Sequence, residues 1–156
     1  MTYLVLKYLH VLGAIVILGT GAGIAFFMLM AHRSGDVGHV FRTARTVVLA
    51  DFFFVATAVV AQPVTGYLLA LEMNWPLTES WLVASLALYG VAGAAWLPVL
   101  WIQRRMRDLA GAAAADGKPL PAEYHRLIRS WLLLGFPGFG SVAAIVWLMI
   151  AKPALW

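Results

Sequence analysis

The segment LKYLHVLGAIVILGTGAGIAFFMLM, residues 6–30, decides the fold class. Between Lys7 and Arg33 there is no Asp, Glu, Lys or Arg. As a helix rising 1.5 Å per residue, such a run crosses the roughly 30 Å of hydrocarbon in a bilayer. Working outward, the same criterion marks four apolar spans, at about 3–31, 46–72, 80–102 and 130–151. The composition agrees: 63% of the 156 residues are hydrophobic and 12% charged, against about 25% charged in a soluble domain. A soluble enzyme, a disordered tail and a nucleic-acid-binding module are excluded. The sequence describes an all-α integral membrane protein, one four-helix domain over residues 1–156.

The connections 32–45, 72–79 and 103–129 set the orientation. Of the 11 Lys and Arg residues, all but Lys7 and Lys152 fall in or beside the first and third connections. Basic loops remain on the cytoplasmic side, so both termini and the 72–79 turn are expected outside, in an inner membrane of bacterial type. The bundle is then antiparallel, up-down-up-down. Trp75, Trp81 and Trp156 mark the outer interface, Trp101 and Trp131 the inner one. The Ala-rich DLAGAAAADG piece extends helix three until Gly117 and Pro119 stop it. The first apolar run lacks the basic start and small-residue exit of a cleaved signal peptide. With no cysteine, disulfides, thiolate zinc, iron–sulfur clusters and c-type haem attachment are ruled out.

Two helix faces carry polar chemistry. On helix one, His10, Gly13, Ala14, Ile17, Gly21 and Met28 recur at 100° per residue, placing an imidazole beside small residues where a flat macrocycle could lie. Gly19 and Gly23 sit on the opposite face and permit close helix approach within the bundle or across a homodimer. On helix two, Asp51, Val55, Ala58, Gln62 and Thr65 share a face that must turn inward, because a carboxylate facing lipid costs several kcal/mol. Asp51 either pairs with a cytoplasmic arginine such as Arg105 or Arg129, or serves a proton relay or substrate. Gln62 is placed to bond a neighbouring helix or a bound group. Pro63, Pro98 and Pro137 each free a carbonyl one turn earlier, either as packing kinks or to shape a pocket.

Four histidines are present, His10, His32, His39 and His125. His10 and His32 are about 33 Å apart along a helix, so one iron cannot take both. His32, His39 and His125 lie beside arginines at the inner end, as solvated interfacial side chains do, with a metal or second-haem site as the alternative. His10 lies within the outer leaflet. It either bonds a neighbouring helix or ligates haem iron through a neutral nitrogen. Gln62, Tyr67, Ser85, Tyr89 and Met149 are at its depth, leaving five-coordinate or His/Met iron as the options.

LKYLHVLGAIVILGTGAG (6–23), NWPLTESWLVASLAL (74–88) and YHRLIRSWLLLGFPGFGSVAAIVWLMIAKP (124–153) resemble the CopD/HemJ superfamily of small membrane proteins. Within it, the chain is most similar to four-helix branches of unknown function. Lys7, Leu9, His10, Gly19 and His32 stand at the positions of a Lys-x-Leu-His opening and a helix ending in His. The resemblance implies a haem b cofactor with His10 as the metal ligand. Gly13, Ala14, Gly21 and Ser85 would line the cofactor site, and the role would be redox or electron transfer with a redox partner. In the oxidases of this superfamily helix three carries a lysine essential to function, within a Trp-Leu-x-x-Lys-Leu pattern. Here Trp81, Leu82 and Leu86 recur but Ser85 replaces the lysine, which removes a cation from any oxidase chemistry. Copper handling, suggested by the CopD side, lacks clustered soft ligands because the methionines are scattered. The alternative is a haem-free small-molecule transporter or channel lined by the Asp51–Gln62–Thr65 stripe.

Overall fold

The computed structural model describes all residues, 1–156. It is entirely helical: α1 (Thr2–Ser34), α2 (Val37–Glu72), α3 (Ser80–Ala115) and α4 (Ala122–Ala151), each long and apolar enough to cross a membrane. The protein is a multi-pass, four-helix integral membrane bundle with both termini at one end. The other end carries the basic connections and is called the basic end below.

The connections are shorter than the sequence pattern implied. Between α1 and α2 only Gly35 and Asp36 are non-helical. The 32–45 stretch was expected to be a loop because it holds His32, Arg33, Arg42 and Arg45. His32 and Arg33 instead close the last turn of α1, and Arg42 and Arg45 occupy the outer face of an amphipathic helix whose Val40, Ala44 and Val47 are buried. Gly35 ends α1 at φ 69°, a conformation that costs glycine nothing. Asp36 caps α2 by accepting the His39 amide at 3.0 Å, and that bond holds its carboxyl below the usual carboxylate range.

In the 103–129 connection α3 continues through the alanines to Ala115, as expected, and α4 begins at Ala122 rather than near 130, which leaves 116–121 as the loop. There Gly117 (φ 63°) reverses the chain while Lys118 donates to the Ala113 carbonyl at 2.9 Å. Asn74 (φ 53°) does the same after α2, with Trp75 donating to Ala70 at 2.9 Å. Among non-glycines, Asn tolerates this left-handed geometry best.

Packing is uneven along the bundle. The core gathers at the basic end around Met28, Val40, Met106, Tyr124 and Ile128, drawn from all four helices. Here α2 packs tightly on α3. Midway, residues Asp51–Val55 widen into a single π-turn, with the Ala56 amide donating to the Asp51 carbonyl. The extra residue per turn keeps Asp51 and Val55 buried while Phe52, Phe53 and Phe54 face outward. Beyond it α2 leaves α3 and follows α1 instead. α3 and α4 remain paired throughout, and α1 and α4 touch least of the neighbouring helices. The bundle is therefore closed at the basic end and divided into two helix pairs further up.

Two contacts bridge the divided half. At the terminal end Ala70, Trp81 and Leu82 form a small core with Trp75 and Met149 beside it. Lys152 Nζ lies 3.9 Å from the centre of the Trp75 ring, a cation–π contact that ties the end of α4 to the α2–α3 turn. Deeper, the Tyr89 hydroxyl of α3 donates to the Val59 carbonyl of α2. Val59 is four residues before Pro63, so the proline leaves that carbonyl without its helical donor. Within hydrocarbon nothing else would satisfy it, and Tyr89 acts as the missing donor.

This account gives an expected outcome. Tyr89→Phe should destabilise the protein by about 1–3 kcal/mol, measured by denaturant-induced unfolding in detergent micelles. Combined with Pro63→Ala, which restores the helical donor, most of that loss should be recovered.

Candidate functional site

The division of the bundle leaves an intramembrane cavity of about 640 Å³ bounded by all four helices. That lies inside the range of about 300–1,000 Å³ usual for small-molecule sites. Gly21 and Ala22 of α1, Gly93 of α3 and Gly138 of α4 contribute walls without bulk. Tyr89, Trp96, Trp131, Phe136 and Phe139 add aromatic surface. Its one carboxylate is Asp51, 3% exposed.

Asp51 is held by neutral donors. Its Oδ1 accepts from Trp96 Nε1 at 3.1 Å. With the Gln103 amide nitrogen turned toward it, Oδ2 accepts at 2.7 Å, and the Gln103 oxygen accepts from Trp131 Nε1 at 3.2 Å. This corrects the expectation of an Asp51 ion pair with Arg105 or Arg129. Arg105 pairs with Glu123 at 2.7 Å on the surface. The π-turn directs Asp51 into the bundle, whereas Arg105 follows an exposed face of α3. Trp131, expected at the interface, is buried and points its ring nitrogen into this network.

His10 lies elsewhere, in the seam between α1 and the upper part of α2. Its Nδ1 is 2.9 Å from Thr65 Oγ1. The Thr65 hydroxyl donates to the Ala61 carbonyl at 2.8 Å, so its one proton is committed and it accepts from His10 Nδ1–H. In that tautomer Nε2 carries the lone pair. Gly66 backs the ring: a Cβ there would lie 3.1 Å from His10 Cε1. Gln62 closes the arrangement by donating to the His10 carbonyl at 2.8 Å. Its side chain crosses α1 at Gly13, where a Cβ would come within 2.6 Å of Nε2 of Gln62.

The helix-two stripe is therefore inward, as its pattern required: Asp51, Val55, Ala58 and Gln62 are buried. It does not line one path, since Gln62 and Thr65 are engaged with α1 while Asp51 and Val55 face the cavity.

The other sequence-selected residues are distributed as follows. Gly13 is occupied by the Gln62 side chain and offers no seat for a ring. Gly21 lines the cavity, which His10 and Ala14 do not. From His10 to Gly21 is 11 residues, about 16 Å along the helix, so the residues expected to form one site belong to two. Ser85 is buried and donates to the Trp81 carbonyl at 2.7 Å. Gly19 has no side chain against it and Gly23 meets only Phe27 of its own helix. At the basic end the His32 and His125 rings are 5.7 Å apart, beside Tyr124. No group of three or more His, Cys, Asp or Glu side chains is arranged to hold a metal ion.

Sequence reasoning missed Thr65 as the His10 partner and Gly66 as its backing. The signal was present: the Thr-Gly pair follows Gln62 on α2 at the depth of His10. Trp96 and Gln103 were missed as the Asp51 donors because no spacing rule relates residues on different helices.

Residues 4–153 match the family described as "Predicted integral membrane protein (DUF2269)", and the chain belongs to that family. No curated protein and no solved structure matches it.

Gln103 is the central member of the cavity network. Gln103→Leu should cost roughly 2–4 kcal/mol, because it strips a donor from the Asp51 carboxylate and an acceptor from Trp131. Trp131→Phe, which leaves Asp51 with both its donors, should cost less than half as much. Unfolding in detergent, followed by tryptophan emission or far-UV circular dichroism, measures both.

Proposed function

From its membership in a family of integral membrane proteins and from the setting of His10, we propose that this protein binds haem b and acts in redox or electron transfer. His10 would ligate the iron through Nε2. The observation that carries the reading is the fixing of the His10 ring from three directions. Thr65 accepts the hydrogen bond from Nδ1–H, Gly66 admits the ring against α2, and Gln62 anchors the backbone beneath it. A ligating histidine ordinarily has its second nitrogen bonded in this way, which sets the tautomer and aims the free lone pair.

A donor set of one imidazole would suit iron whose remaining ligands come from a macrocycle, and does not suit a bare metal ion. Haem, when bound, would supply one-electron chemistry; the protein would supply the ligating His10 nitrogen, the low-polarity surroundings and the fixed imidazole orientation. Gly13 takes no part in seating the macrocycle, since Gln62 fills that space. Electron transfer is favoured over oxidase chemistry because Ser85 carries no charge where the oxidases have lysine, and its hydroxyl donates to the Trp81 carbonyl. The resemblance to the CopD/HemJ superfamily supports the same assignment. With the basic connections cytoplasmic, His10 lies near the outer face of a bacterial-type inner membrane, accessible to a redox partner. The open Gly19/Gly23 face would accept a second copy of the chain.

Protein purified in detergent and supplied with haem should develop a Soret band that shifts on reduction. His10→Ala should abolish it. Thr65→Val, which removes the Nδ1 acceptor, should weaken haem affinity by about 10–100-fold and alter the reduced spectrum. A wild-type protein that takes up no haem, or a band unchanged in His10→Ala, would refute the assignment.

A further inference from the structure

We infer that the cavity above Asp51 is a binding site for a lipid-soluble aromatic molecule bearing a ring hydroxyl, of the hydroquinone class, entering sideways from the bilayer between α1 and α4. None of the residues concerned holds His10, so the inference stands independently of the haem assignment.

The polar end of the site is built and incompletely used. Each oxygen of a carboxyl group that accepts one hydrogen bond has a further lone pair. Trp96 occupies one on Oδ1 and Gln103 one on Oδ2. The remaining acceptor capacity belongs to a side chain that lines the cavity. Trp96 and Gln103 hold the carboxylate in place, and Trp131 holds Gln103, so an arriving hydroxyl meets a fixed acceptor. Preorganisation of this kind lowers the entropic cost of binding.

The rest of the cavity selects the body of the ligand. Its wall is almost wholly apolar, so only a molecule already soluble in hydrocarbon gains by entering. The aromatic side chains that line it, Trp96 and Trp131 within the bundle and Phe136 and Phe139 toward its lipid side, favour a flat aromatic ring. Access is set by the seam where α1 and α4 touch least. On these two helices the cavity is lined by Gly21, Ala22 and Ala25 of α1 and by Gly135 and Gly140 of α4. Small residues on both sides leave a slot for a ring, and an alkyl tail attached to that ring can remain in lipid. Trp96 and Gln103 present their hydrogens to Asp51, so the acceptor recognises a donor on the ligand. Hydroquinone hydroxyls satisfy that condition; the corresponding quinone has only acceptors. A lipophilic ammonium would also satisfy the carboxylate, but bringing a cation to this depth carries the cost of an intramembrane charge.

The test is equilibrium binding of a tritiated decyl-hydroquinone, kept reduced under anaerobic conditions, to the full chain in detergent without added haem. Saturable binding is expected, with the decyl-quinone at least about tenfold weaker for lack of a donor. Asp51→Ala should weaken hydroquinone binding by about tenfold or more. Gly93→Leu should block it by filling the cavity; Gly93 has no side chain within 4 Å, so this variant should fold, which its unfolding curve checks. Absence of saturable binding by wild type, or binding unchanged in Gly93→Leu, overturns the proposal. Tighter binding of decylammonium than of the hydroquinone overturns the ligand class.

Discussion

Hydrocarbon offers no hydrogen bonds, so every polar group that enters the membrane must find its partner within the chain. This constraint organises the bundle more than apolar packing does, because lipid tails are as apolar as leucine and gain little by exchange with side chains. The helices are joined at a few polar points: Gln62 to the His10 carbonyl, His10 to Thr65, Tyr89 to Val59, and Trp96 with Gln103 to Asp51. Each links two different helices. Tyr89 shows the logic most directly, since the carbonyl it serves exists as an unpaired acceptor only because Pro63 sits four residues later. A proline that would weaken an isolated helix here creates a docking point for the neighbouring one.

The same points explain why the bundle is closed at one end and divided above. At the basic end, loops of two and six residues hold the helices together, and buried methionine, valine and tyrosine side chains fill the space between them. The π-turn at Asp51–Val55 then changes the register of α2 by one residue. Its buried face, which met α3 below, meets α1 above, where Gln62 and Thr65 find their partners. α3 and α4 continue as their own pair, joined to the first pair by Tyr89 and by the aromatic cluster at the terminal end. The cavity is the space between two helix pairs that part at a single inserted residue. π-turns of this kind are often found where a helix must present a functional side chain, and here the first residue of the turn is the cavity's carboxylate.

Much of this was legible in the sequence, for reasons that also mark where legibility ends. The four spans follow from hydropathy and length, and the inward face of helix two from the cost of placing Asp51 and Gln62 in lipid. The prolines announced unsatisfied carbonyls, though not which residue would serve Val59. Two expectations failed for a shared reason. Arg42 and Arg45 suggested a loop, and Arg105 or Arg129 suggested a counter-ion for Asp51. Both inferences used the chemical type of a residue and ignored the helix face it occupies. The six residues His10, Gly13, Ala14, Ile17, Gly21 and Met28 do share a stripe, yet a stripe over 18 residues extends across most of the membrane. It meets α2 at His10 and Gly13 and the cavity at Gly21. Periodicity assigns a face; the depth at which a neighbouring helix arrives or departs assigns the site.

That separation by depth bears on how Asp51 should be understood. If its sole task were to join α2 to α3, a neutral asparagine could accept from Trp96 at far lower desolvation cost. A carboxylate at this position carries acceptor capacity beyond what its two donors use, and no arginine or lysine pairs with it across the bundle. Within hydrocarbon such a group is costly unless something else engages it. The aromatic surfaces and glycine-bordered seam lie on the open side of that carboxylate, where a molecule from the bilayer can reach it. The surplus acceptor and the route to it are thus parts of the same arrangement, and both arise where α2 leaves α3.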